Sequence, residues 1–148
     1  MPARNVRRPF ITIRVQAVSG ISPTVWRRWA LAAQRRLPLH LGWIAVVMVS
    51  PSLMQKLNKR YRRRSRPTNV LSFPYPPAEP GMGDSGGEIF LCPAVIRQEA
   101  RNLGQPMRGY SRFLLQHGWI HLAGHDHATK QEARRWHIYE RRLSHEPH

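Results

Sequence analysis

The apolar positions change their period several times along the chain. Phe10–Val15 (FITIRV) alternates apolar and polar residues and predicts a strand. Ser22-Pro23 reads as a helix start, because proline at the first helical position gives up only an amide that would lack a partner anyway. A helix is therefore predicted over Thr24–Arg35. Trp43–Val49 (WIAVVMV) is continuously apolar and β-branched, which predicts a buried strand. Ser50-Pro51 opens a second helix that runs to about Tyr61, and Arg62–Arg66 follows as a basic loop. Val70–Phe73 predicts a short strand. Tyr75–Gly87 is dense in proline and glycine and predicts a loop. Glu88–Cys92 predicts a strand, and Pro93–Leu103 a helix stopped by Gly104. Arg108–Leu122 predicts a helix that ends at Gly124. A last helix is expected over Thr129–Ser144, where Thr129 and Glu132 have the spacing of a capping box.

Interleaved strands and helices point to an α+β or α/β class, with one mixed sheet of about four strands covered by helices. The length of 148 residues suits one domain with a core of its own. One cysteine excludes an internal disulfide framework and any cysteine-rich zinc ribbon. No apolar run approaches a membrane span, and the first residues lack the apolar stretch of a secretory signal. The expectation is a soluble, cytoplasmic protein.

Charge adds more. The net charge is +16, and its placement is uneven. Residues 1–78 hold 15 Lys and Arg and no acid, whereas residues 79–148 hold 9 bases against 8 acids. Of the 24 basic residues 21 are Arg, whose planar fork suits phosphate. This asymmetry is the footprint of a polyanionic partner. No basic amphipathic helix with an aromatic face stands out, so nucleic acid is favoured over membrane. Charge alone does not separate RNA from DNA.

The sharpest chemical signal is residues 117–127, HGWIHLAGHDH. His117 and His121 are four apart on a predicted helix, which places both imidazoles on one face. Gly124 can turn the chain back and bring His127 to the same point. Three imidazoles with a fourth position open to water are the donor set of a catalytic Zn²⁺. The same spacing occurs in zinc peptidases of the H-E-x-x-H-x-x-G-x-x-H type. There the residue after the first histidine is the general base, and here it is Gly118. A peptidase is disfavoured on that ground. His40, His137, His145 and His148 read as surface residues; His125 is a further candidate ligand, but beside Asp126 and His127 it is expected to point elsewhere.

These residues resemble the signature of the YbeY-type endoribonucleases, bacterial rRNA maturation factors. The likeness rests on His117-Gly118-x-x-His121-Leu122-x-Gly124-x-Asp126-His127. It rests also on Leu57-Asn58-Lys59-Arg60-Tyr61-Arg62 and on Pro67–Pro74 (PTNVLSFP), with a weaker match at Gly87-Glu88-Ile89, where the family usually has Asp. Together these blocks span about residues 43–144. The resemblance implies an α+β fold with a four-stranded sheet, and a single metal-dependent endoribonuclease domain over residues 1–148, with 1–8 and 145–148 as flexible tails. It implies one Zn²⁺ on His117, His121 and His127, with the functional arginine at Arg62. It further implies action on single-stranded RNA, at the 3′ end of small-subunit rRNA and in rRNA quality control. The small ribosomal subunit is then a partner, and DNA is not.

The chemistry is consistent with that implication. Phosphodiester cleavage builds charge on phosphoryl oxygens, which a zinc ion and an arginine fork can both stabilise. Without the resemblance, Arg62 is one of several equal cations beside Lys59, Arg60, Arg63, Arg64 and Arg66. The nucleophile is left open between water activated at the metal and the RNA 2′-hydroxyl. Asp126 is the candidate general base, although orienting a metal ligand or capping the turn is the favoured reading of it. Asn69 and Ser72 are either site residues or structural residues at a strand edge. Cys92 reads as a buried, inert thiol and Trp119 as a core residue. The competing functions are an RNA-binding ribosome-assembly factor with a structural zinc and a metallohydrolase acting on another substrate, peptides included.

Overall fold

The computed structural model describes residues 9–14, 20–77 and 85–124. They form β1 (Phe10–Arg14), α1 (Pro23–Arg36), β2 (Trp43–Met48) and α2 (Pro51–Arg62). Then come β3 (Val70–Tyr75), β4 (Gly86–Leu91), α3 (Pro93–Asn102) and α4 (Met107–Leu122). The class is α+β, one domain on a four-stranded mixed sheet in the order β1-β2-β4-β3. β1 runs parallel to β2 and β2 to β4, while β3 is antiparallel to β4 and forms an edge. The helix predicted over Thr129–Ser144 lies outside the described residues.

Local chemistry sets the element ends. Ser50 caps α2 by accepting the amide of Leu53 at 3.3 Å, and Pro51 follows at the first helical position. Ser22 caps α1 in the same way through Val25 at 3.4 Å. α2 stops at Arg63, which takes a left-handed conformation (φ 56°) and returns its amide to Lys59 O at 3.1 Å. Arg62 is therefore the last helical residue and not part of the basic loop.

The proline- and glycine-rich segment differs most from expectation. Strand β3 continues through Pro74 to Tyr75, and β4 starts two residues early at Gly86. A proline can sit in β3 because it is an edge strand with one unpaired side. Gly86 is required because the Trp43 ring lies over it: a Cβ there would stand 1.9 Å from Trp43 Cε2. Breakers that read as loop in sequence are thus accommodated inside the hairpin strands.

The sheet buries both faces to different depths. On one face α1, α3 and α4 pack over Ile44, Val46, Met48, Ile89 and Leu91, with Trp26 and Trp119 at the centre. Trp119 is fully buried and gives its indole N–H to Leu37 O at 3.0 Å. On the other face α2 covers a smaller cluster of Val49, Met54, Leu71 and Cys92. Cys92 is buried, and desolvation pushes its thiol pKa up, so it is an unreactive core residue. Among the described residues no helix is long and apolar enough to cross a membrane.

Candidate active site

Helix α4 carries the site on one stripe. Tyr110, Phe113, Leu114, His117 and His121 recur at the three- and four-residue intervals of a single helical face. All five line one cavity of about 340 Å³. The opposite wall is the start of β3, through Asn69, Val70 and Ser72, and Arg62 reaches in from the end of α2. Sequence segments 50 residues apart meet here because α4 crosses the sheet beside its β3 edge.

Gly118 fixes that crossing. A Cβ at this position would meet Ile89 Cγ2 at 2.7 Å, Ser72 Oγ at 3.1 Å and Val70 Cγ2 at 3.3 Å. The helix backbone therefore rests directly on the sheet. Ser72 secures the contact by donating its hydroxyl to Gly118 O at 2.9 Å, which is a structural role at the cavity wall. The position where zinc peptidases carry their catalytic glutamate has no room for a side chain.

The histidines are half-buried. The ring of Phe113 meets His117 edge-on at 4.2 Å between centroids and stacks with Tyr110 at 6.2 Å. The cavity wall is thus a ladder of three rings. His40 is exposed and distant in sequence from this cluster.

Behind Asn69 and Tyr110 lies a polar cluster that does not itself line the cavity. Glu99, on α3, accepts the Tyr110 hydroxyl at 2.7 Å and Asn69 Nδ2 at 2.8 Å, both on Oε2. Asn69 Oδ1 in turn accepts the amide of Val70 at 2.7 Å. The Tyr110 pKa is pushed up to about 12, first by burial and then by the bond to and charge of Glu99. Asn69 therefore both braces β3 and lines the cavity. Glu99, Tyr110 and Phe113 escaped the reading of the sequence. The spacing back from His117 to Phe113 and Tyr110 was the available signal; nothing local marks Glu99.

Six cations fall between residues 59 and 66, and Arg62 alone among them lines the cavity. The segment beyond it is tied down from α2. Asn58 is 1% exposed and gives Nδ2 to Arg66 O at 2.7 Å, and Gln55 Nε2 reaches Ser65 O at 3.0 Å.

Two of the three expected metal ligands share the cavity. His117 and His121 offer two imidazoles, four apart, to the same cavity. Gly124 follows with φ +80°, a conformation that turns the chain directly after the helix. His127, with His125 and Asp126, lies outside the described residues. Among the described residues no three potential ligands gather.

A mixed four-stranded sheet, crossed by a histidine-bearing helix with an arginine facing it, defines the class of protein. The fold resembles the solution structure of TM1509 from Thermotoga maritima, with a TM-score of 0.54 and 24% identity over 90% of this chain and 89% of that one. The family model described as Endoribonuclease YbeY matches residues 22–146. Curated relatives carry the same name. The Alkalilimnicola ehrlichii protein is 37% identical over 91% of this chain and 86% of its own. The Thiobacillus denitrificans protein is 34% identical over 86% of this chain and 85% of its own. The chain belongs to the endoribonuclease YbeY family.

Proposed function

We propose that this protein is a zinc-dependent endoribonuclease that cuts single-stranded RNA in rRNA processing. Its target is the 3′ end of small-subunit rRNA, with a role in rRNA quality control, and it works in the cytoplasm at the small ribosomal subunit. The observation that carries the reading is that Arg62, His117 and His121 line one cavity in a member of an endoribonuclease family.

His117, His121 and His127 would hold Zn²⁺. When bound there, the ion would supply Lewis acidity toward the phosphoryl group and a lowered pKa for nearby water. The chain's own groups do the rest. The Arg62 guanidinium holds the non-bridging oxygens through paired charge-assisted bonds and opposes the charge that grows on them. Phe113 packs edge-on against the His117 ring and limits its swing. Tyr110 stays protonated at neutral pH and donates its hydroxyl hydrogen bond to Glu99, which braces α4 against α3 at the cavity wall. Gly118 leaves no carboxylate in the place a peptidase needs one.

The test is cleavage of a single-stranded rRNA 3′-end fragment by wild type, Arg62→Ala and His121→Ala. Cutting is expected from wild type alone, with loss on chelation and recovery on adding Zn²⁺. Activity equal in all three points to a contaminant. Tight, salt-sensitive RNA binding without cutting favours the assembly-factor reading.

A further inference from the structure

On α2, Met54, Leu57, Asn58 and Tyr61 form the inward stripe. The first three are covered. Tyr61 ends the stripe and is 54% exposed. Its ring leans on Phe73 with centroids 4.5 Å apart, and Phe73 is braced edge-on by Phe90 at 5.7 Å. A large ring is thus held firmly from beneath while much of it faces solvent. Tyr61 immediately precedes Arg62, the cation that lines the cavity. Phe73 points to the opposite face of β3 from Ser72, so Tyr61 lies just around the sheet edge from the site.

The charge around this ring is unusual. Lys59, Arg60, Arg62, Arg63 and Arg64 lie within three residues of it, and the Arg60 guanidinium stands 5.7 Å from its centroid. Tyr75 makes the contrast. It is also exposed and on the same sheet face, but its hydroxyl bonds the Glu88 carboxylate at 3.3 Å and its ring is already stacked on Trp43. An anionic strand is drawn to the first ring and repelled beside the second.

We propose that Tyr61 is a stacking platform for an unpaired base of the strand whose phosphate Arg62 holds. The inference rests on the RNA-cutting reading above. It supplies that reading with a physical preference for single strands, because a paired base cannot present its face to a ring. It is also sequence-tolerant, since every base has a π-face.

The experiment uses short RNA oligonucleotides with 2-aminopurine walked along the sequence, titrated with the full-length protein. Stacking on a ring quenches this base. Quenching at one or two adjacent positions is expected with wild type, Tyr61→Phe and Tyr75→Leu. It should vanish in Tyr61→Leu, which keeps an apolar contact to Phe73 and so preserves the fold, and affinity should weaken about tenfold. Equal quenching in wild type and Tyr61→Leu overturns the proposal, as does loss of quenching in Tyr75→Leu alone. RNA cutting without the Tyr61 signature sinks this inference and leaves the endoribonuclease reading standing. The Tyr61 signature without cutting does the reverse, and absence of RNA binding sinks both.

Discussion

The hydroxyl of Tyr110 meets the carboxylate of Glu99 at 2.7 Å, joining α4 to α3 behind the candidate site. A phenol that is partly desolvated and bonded to a carboxylate resists losing its proton, and its pKa rises to about 12. The unfolded chain gives up the same proton near the ordinary value of ~10. Stability from this bond is therefore complete below about pH 10 and is lost as pH rises toward 12. Urea unfolding across that window should show a falling midpoint for wild type and a shallower fall for Tyr110→Phe. Identical slopes would mean that Tyr110 titrates as a free phenol.

Glu99 holds two cavity residues on one oxygen, so its removal should disturb the site more than the fold. Glu99→Ala releases Asn69 and Tyr110 together. Misplacement on the scale of an ångström can cost up to roughly a hundredfold in rate. The expected result is a fall in kcat for RNA cleavage that exceeds what the modest drop in melting temperature from losing the two bonds accounts for. Unchanged kinetics would reduce the pair to a packing contact.

Gly118→Ala tests whether α4 needs close approach. Alanine gains about 1 kcal/mol of helix propensity over glycine. Overpacking against Ile89, Ser72 and Val70 costs typically ~1–3 kcal/mol. Destabilisation is expected on balance, read by thermal melting, and Gly118→Glu should fail to fold. A stabilised Gly118→Ala would show that the helix can lift off the sheet at little cost.

Much of this architecture was legible in the sequence because it depends on local signals. Ser22-Pro23 and Ser50-Pro51 marked two helix starts to within a residue. The alternation of FITIRV and the apolar run from Trp43 marked two strands. The hairpin was misjudged because Pro74 and Gly86 break strands in isolation, while an edge position and the overlying Trp43 ring make them acceptable. The His117 and His121 pairing followed from helical periodicity. Which of six neighbouring cations faces the cavity did not, because that depends on where α2 ends relative to the edge of β3. Glu99 was invisible for the same reason: its partners Asn69 and Tyr110 are 30 and 11 residues away.

Asn58 offers a separation of binding from chemistry. Its side chain is buried and its Nδ2 holds Arg66 O at 2.7 Å, so it fixes the basic turn that follows Arg62. Asn58→Ala leaves that carbonyl without its donor, at a cost of about 1–3 kcal/mol. Of its side-chain anchors the turn then keeps only the Gln55 bond to Ser65 O, while Arg62, on the helix itself, keeps its place. KM for RNA should rise, because the cations at Arg63, Arg64 and Arg66 no longer present a fixed surface to the backbone, and kcat should change little. Asn58→Asp should be worse on both counts, since a buried carboxylate can neither donate to Arg66 O nor escape desolvation. A kcat loss equal to that of Arg62→Ala would show instead that the turn and the arginine move as one unit.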